Sequence, residues 1–269
     1  MTNLSFALRD SATMLRRDIM HSLRFFSITL SGLLVPLIML VLFAFVYGGA
    51  MTVGLDGVAH GITYIDYIAP AIVIMTVGSG CSTTALNLCM DMSEGIIARF
   101  RTMAISRASV LTGMVLGSLI RTMLTVIVVI AVALLMGFRP SAGPVAWIAA
   151  LGLIALITFA ITWMGVLFGL IGKTPAGANS LSLIFQLLAF TSSAFVRPES
   201  MPVGIRWFAE YQPFTPVIDT LRGLLLGTPI GNSAILAIAW CAILALVGYL
   251  CSRAVYNRNA VAHNLSSLG

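Results

Sequence analysis

Six stretches of this chain carry enough consecutive apolar residues to cross a lipid bilayer, and little chain is left over for anything else. They run Ser27–Gly48, Tyr67–Met90, Ser109–Gly137, Pro144–Ile171, Ala176–Val196 and Asn232–Ala254. A helix rises 1.5 Å per residue, so about 20 apolar residues cross a core about 30 Å thick. The fifth stretch is the least apolar of the six. Of all 269 residues, 59% are hydrophobic and only 9% are charged, against about 25% charged in soluble domains. No water-soluble fold hides so much apolar surface, so lipid is the solvent for most of this chain. Lipid offers no partners for unpaired backbone, which predicts an all-α membrane protein of six spanning helices.

Charge sets the expected orientation. The head before the first span carries Arg9, Arg16, Arg17 and Arg24, and the connection after the second carries Arg99, Arg101 and Arg107. Lys173 follows the fourth span, and Arg253 and Arg258 end the sixth. On the opposite side, the first connection has no Lys or Arg and the second has only Arg139. In the third, Arg197, Arg206 and Arg222 are balanced by Glu199, Glu210 and Asp219. Cytoplasmic flanks collect Lys and Arg, so both termini are expected in the cytoplasm. The net charge of +6 then belongs to membrane flanks and implies no nucleic-acid partner. The head precedes an apolar run longer than a signal h-region, with no A-x-A site after it, so it is not read as a cleavable signal.

The stretch FGLIGKTP, Phe168 to Pro175, ends in the Gly-Lys-Thr of a nucleotide-binding P-loop. A P-loop needs four residues between its glycines and a strand before them, so that backbone N–H groups wrap the phosphates. Gly169 and Gly172 enclose only two residues, and a membrane span precedes them. The stretch is therefore expected to be the turn between the fourth and fifth spans. Gly172 ends one helix and Pro175 opens the next. No ATP site is expected in this chain.

Three parts are not simple spans. In the head (residues 1–26), Phe6, Leu15, Ile19, Leu23 and Phe26 fall near helical spacing among the arginines, which suits a helix lying in the interface or a merely basic pre-anchor. After the second span, Ile96, Phe100 and Met103 form a short apolar stripe, while Arg99 and Arg101 point elsewhere. Such a helix docks into a soluble partner or rests on headgroups. Between Arg197 and Gly227, four prolines interrupt apolar and aromatic sequence with no 20-residue run. Short helices that dip into the outer leaflet and return are expected there. The tail, residues 255–269, is expected in the cytoplasm.

Polar residues inside lipid are pointers to function. Ser79, Thr83 and Asn87 recur at i, i+4 and i+8 in the second span, and Asn179, Ser182, Gln186 and Ser193 share a face of the fifth. These stripes line a path for an amphipathic solute, or they hold helices together. Asn87 and Gln186 stand out because an amide is costlier to strand in lipid than a hydroxyl. Arg121, the only charge well inside a span, is expected to stretch to the cytoplasmic interface rather than serve an ion path. No acidic residue lies in any span, and His21, His60 and His263 lie outside them, which argues against a proton-driven carrier. With no H-E-x-x-H, G-x-S-x-G or intramembrane aspartate pair, no catalytic or metal site is expected. The four cysteines, Cys81, Cys89, Cys241 and Cys251, form no C-x-x-C pair and read as small apolar residues. Gly113/Gly117 and Gly165/Gly169 are G-x-x-x-G pairs that permit close helix approach.

Two motifs carry a resemblance. One is EGIIARFRTMAISR, Glu94 to Arg107, followed by a long helix ending LLMGFRP, Leu134 to Pro140. The other is SSAFVRPESMPVGIRWFAEYQPFTPVIDTLRGLLLG, Ser192 to Gly227. With the order of spans they make the chain similar to the permease subunit of type-2 ABC exporters, in the bacterial drug-resistance branch of the daunorubicin type. The likeness spans nearly the whole chain. It implies a six-helix membrane domain (residues 27–254), paired with a second permease chain, identical or a sister, in the bacterial cell membrane. It also implies two separate ATPase chains that supply ATP and Mg2+ chemistry, with no cofactor in this chain. By the same resemblance, the loop bearing Glu94, Arg99, Phe100 and Arg101 is the coupling helix seated on the ATPase. The segment around Pro198, Pro202, Pro213 and Pro216 becomes the outer gate. Independently of the resemblance, the spacing of Ser79, Thr83, Asn87, Asn179, Ser182 and Gln186 makes them the candidates to line the path. The implied function is export of a hydrophobic or amphipathic compound. A lipid-linked glycan as cargo, or a non-transporting membrane scaffold, are the alternatives that the residues leave open.

Overall fold

The computed structural model describes residues 26–48, 63–93, 107–195 and 202–266. Among them every regular element is helical. Helix α1 is Phe26–Val41, continued by a π-helical stretch Leu42–Tyr47. Then come α2 (Tyr64–Ser93), α3 (Arg107–Leu135), α4 (Pro144–Ile171) and α5 (Pro175–Phe190). Two short helices, α6 (Val203–Tyr211) and α7 (Phe214–Leu226), precede α8 (Ser233–Ser266). Four of these, α2, α3, α4 and α8, are long and apolar enough to cross a membrane, and two shorter apolar helices cover Leu33–Val46 and Pro175–Phe190. The expected head helix lies outside the described residues, except Phe26.

Helix α2 is the axis of the bundle. Two-thirds of its apolar window (67%) is buried, against 44% for α4, 28% for α3 and 22% for α8. It touches α1, α3, α4, α5 and α7, while α4 joins it to α8. The close fit of α2 and α4 comes from the second G-x-x-x-G pair. A Cβ on Gly165 would sit 2.8 Å from the carbonyl oxygen of Cys81, and one on Gly169 would sit 2.8 Å from that of Ala85. Glycine is what lets the two backbones approach so closely. On the other side of α4, Trp163 meets Tyr249 of α8 edge to face at 5.0 Å. The outward sides of α3, α5 and α8 expose apolar residues such as Leu124, Ile184 and Leu246, as lipid-facing helices do.

Several boundaries differ from the sequence reading by a few residues, and three of the differences are instructive. Helix α2 starts at Tyr64, three residues earlier than expected, because Asp66 Oδ2 accepts the backbone N–H of Thr63 at 3.0 Å. This is the reciprocal half of a capping box. Helix α5 stops at Phe190 rather than Val196. The hydroxyls of Thr191 and Ser192 bond back to Leu188 and Ala189 carbonyls at 3.0 and 2.5 Å, and Ser192 Oγ accepts from the Ala194 N–H. Local hydroxyl bonds of this kind compete with helix continuation. Helix α8 continues to Ser266, so most of the expected tail is helix. Its 34 residues make it about 51 Å long, about 20 Å more than a bilayer core requires.

The two ends of the bundle are built differently. At the hairpin end lie α6, α7, the start of α2 and the end of α5. The turn end holds the tight connection from α4 to α5. There Gly172 donates its N–H to Phe168 O at 2.9 Å, Lys173 takes φ 51°, and Thr174 Oγ1 caps α5 by accepting from Gly177 N at 3.1 Å. The Gly-Lys-Thr sequence thus forms a helix–turn–helix corner with Pro175 in the first turn.

Candidate functional site

The two polar stripes do not face each other within the chain. Side chains on a helix are spaced by about 100°. Gly78 packs against Gln186 of α5, Gly80 against Thr122 of α3, and the Cys81 and Ala85 backbone against α4. Ser79 and Thr83 therefore project from the side of α2 opposite α4, half-exposed, with Asn87 nearer the α3 side. Their hydroxyls bond inward along their own helix, Ser79 Oγ to Thr76 O at 2.7 Å and Thr83 Oγ1 to Ser79 O at 2.8 Å. On α5, Ser182 is buried and donates to Ala178 O at 2.9 Å, Gln186 is half-buried against Gly78, and Asn179 is exposed. Ser193, expected on the same helical face, falls beyond the end of α5 in the turn that follows.

Arg121 sits 14 residues into α3, and its Nη2 donates to Ser118 Oγ at 3.4 Å. Ser118 in turn shares a short hydrogen bond with Thr84 of α2. The guanidinium is thus placed at the α2–α3 seam, beside the half-exposed polar side of α2.

The densest polar constellation is one that the sequence reading did not pick out. Arg222 of α7 is 7% exposed. Its Nε donates to Tyr67 O of α2 at 3.0 Å and its Nη2 to Ala194 O at 3.1 Å. Nη1 reaches Asp219 Oδ1 at 3.2 Å and Ser193 Oγ at 3.5 Å, while the guanidinium carbon lies 3.6 Å from the centre of the Tyr67 ring. Around it, Ser193 Oγ donates to Asp219 at 2.8 Å and Tyr67 Oη donates to Ser193 O at 3.0 Å. Thr215 Oγ1 accepts from Ser193 N at 3.1 Å and donates to Ala209 O of α6 at 2.5 Å. Nearby, Asp66 Oδ1 accepts the N–H of Arg139 at 2.9 Å, tying the α3–α4 connection to α2. The signal available in the sequence was a charged pair three residues apart in an otherwise apolar segment; it reads equally well as a solvated loop pair.

The remaining expected positions divide between described and undescribed residues. Pro202 and Pro213 precede the first turns of α6 and α7, and Pro213 and Pro216 are buried. Pro198 and the loop residues Glu94, Arg99, Phe100 and Arg101 lie outside the described residues. The buried amide of the hairpin is Gln212, only 4% exposed, with neither amide atom hydrogen-bonded. Among the described residues no group of three His, Cys, Asp or Glu could hold a metal ion. Cys81, Cys89 and Cys241 are buried free thiols, and Cys251 is an exposed one.

Comparison with known proteins agrees with this architecture. Residues 10–226 match the ABC-2 type transporter family. The daunorubicin resistance ABC transporter permease protein DrrB1 of Streptomyces coeruleorubidus is 29% identical over 201 residues, covering 72% of this chain and 67% of that protein. The "Probable doxorubicin resistance ABC transporter permease protein DrrC" of Mycobacterium tuberculosis is 25% identical over 209 residues, 74% of this chain and 76% of its own length. A match over most of the chain, on a bundle of long apolar helices, establishes that this protein belongs to the ABC-2 type transporter family.

Proposed function

We propose that this chain is the permease subunit of an ABC exporter that moves a hydrophobic or amphipathic drug-like compound out of the cell. The observation that carries the reading is the family match over residues 10–226, beside the similarity to relatives named as drug-resistance permeases. In this reading the chain crosses the cell membrane six times, with α1 and α5 joining the four long helices, and both termini lie in the cytoplasm. The hairpin end faces outward. There α6 exposes Trp207, Phe208 and Tyr211, aromatic residues suited to the headgroup boundary. The turn end, with Lys173, faces inward.

A nucleotide-binding chain docks on the loop bearing Glu94, Arg99, Phe100 and Arg101 and supplies the ATP and Mg2+ chemistry. A second permease chain completes the membrane unit. Cargo enters from the inner leaflet, passes the half-exposed side of Ser79, Thr83 and Asn87 and the α5 residues Asn179 and Gln186, and leaves past Pro198, Pro202, Pro213 and Pro216, while the buried Ser182 packs α5 instead of lining the path. Alternating access follows from the tilt that ATP closure imposes through the coupling loops.

The test is reconstitution of the permease with its ATPase partner, followed by ATP-dependent dye efflux from vesicles. Changing Arg99 and Arg101 together to Ala should leave the complex able to hydrolyse ATP while efflux drops. Unchanged efflux removes that loop from the mechanism, and failure to co-purify any ATPase refutes the permease reading.

A further inference from the structure

Arg222 is buried at a depth where a lone cation is strongly unfavourable, yet it does not merely pair with its neighbour Asp219. Its other donors reach backbone carbonyls on two separate parts of the fold, Tyr67 at the start of α2 and Ala194 after the end of α5. Backbone carbonyls on separate elements fix position and register in a way that an apolar side chain of the same volume cannot. Through Ser193 and Thr215 the same constellation reaches Ala209 of α6.

We propose that Arg222 is the positioning residue that fastens the α6–α7 hairpin to the start of α2 and the end of α5, so that these parts move as one body during export. This rests on the exporter reading above. The bonds favour a permanent tether over a latch that opens each cycle. Lifting α7 from α2 and from the end of α5 would remove the Tyr67 carbonyl, the Tyr67 ring and the Ala194 carbonyl at once. A buried guanidinium would be left with one side chain partly in solvent, since Asp219 is 40% exposed. The same movement would tear Phe214, Val217, Ile218 and Leu221, all 0% exposed, out of the main core. The hairpin is therefore no free lid. The exit opens when α2 moves, and the hairpin travels with it.

The experiment uses the complete exporter, permease and ATPase together, in lipid nanodiscs. Cys251 is replaced by Ser, and spin labels are placed on Thr63→Cys and Pro229→Cys, both exposed positions flanking the constellation. The distance between labels should stay within about 2 Å between the nucleotide-free and vanadate-trapped states, less than one helix ratchet. A shift of about 5 Å or more on trapping would overturn the tether.

In Arg222→Met, the distance distribution should broaden and export should fall roughly tenfold while ATP hydrolysis continues. Arg222→Lys keeps the charge beside Asp219 but cannot fork to both carbonyls, and should export at an intermediate rate. If Met gives too little assembled complex, Lys alone decides: native export with a native distribution overturns the proposal, and reduced export with a broadened one supports it. An assembled pair that hydrolyses no ATP even with native Arg222 would instead defeat the exporter reading.

Discussion

The hairpin end and the turn end of this bundle are held by different forces. At the hairpin end, α2, α5, α6 and α7 are joined by directed bonds from Arg222, Tyr67, Ser193 and Thr215. From the middle toward the turn end, α2 and α4 meet almost backbone to backbone at Gly165 and Gly169. Helices in lipid gain little from apolar contact with one another, since lipid tails are equally apolar, so packing or polar bonds must decide who neighbours whom. Irregular backbone such as the 191–195 turn is tolerated at membrane depth only when its polar groups find partners. That explains why directed bonds gather where the chain reverses, and close packing where the helices run uninterrupted.

The largest effect is expected where backbone meets backbone. Gly165→Val would push branched carbon into the carbonyl of Cys81, and neither helix can yield without shifting the other. A loss of about 3 kcal/mol is expected from such overpacking, read as a sharp fall in the midpoint of reversible SDS unfolding. If the midpoint holds, close packing is not what joins α2 to α4.

Second in size is Asp219→Ala, which leaves the buried guanidinium without its carboxylate. Removing one partner of a buried pair costs about 3–5 kcal/mol, but Asp219 is 40% exposed, and solvent screening reduces this to about 2 kcal/mol. Tyr67→Phe is milder. It keeps the ring beneath Arg222 and removes the hydroxyl, which bonds to Ser193 O, for an expected loss of about 1 kcal/mol. The order Asp219→Ala beyond Tyr67→Phe, measured in the same unfolding assay, separates charge from neutral hydrogen bonding. Equal losses would mean that the carboxylate contributes no more than a hydroxyl.

The same contrast explains what the sequence made legible. The long spans and the corner at Gly172–Pro175 depend on neighbours in sequence: apolar runs, a glycine stop, a proline start. They could be read off directly, and Pro144–Ile171 matches to the residue. The Arg222 constellation joins residues 155 positions apart, and nothing local distinguishes its charged pair from a solvated one. The end of α5 was overestimated because Thr191 and Ser192 look like tolerable helix residues until their hydroxyls turn back on the chain, and Ser193 does until its hydroxyl reaches Asp219 of α7. Gly165 and Gly169 were readable as a packing face, but their partner carbonyls on α2 were not. The partners of the two polar stripes were hidden for a related reason, since periodicity gives each helix a face without saying which neighbour takes it.

The smallest effect sharpens the contrast from the turn end, where one residue carries local backbone strain. Lys173 holds φ 51°, a left-handed conformation that costs a residue with a side chain about 1–2 kcal/mol. Glycine adopts it freely, but a glycine also gives the unfolded chain more freedom, which takes back about 0.5–1 kcal/mol. The difference predicts that Lys173→Gly raises stability by about 0.5 kcal/mol, because the side chain is exposed and its removal leaves no cavity. Lys173→Ala keeps the strain and loses only the charge, so it should lie at or slightly below the native midpoint. If the glycine variant were the less stable of the two, the lysine head group would be making a contact worth more than the strain of its backbone. The turn end would then share the directed bonding of the hairpin end.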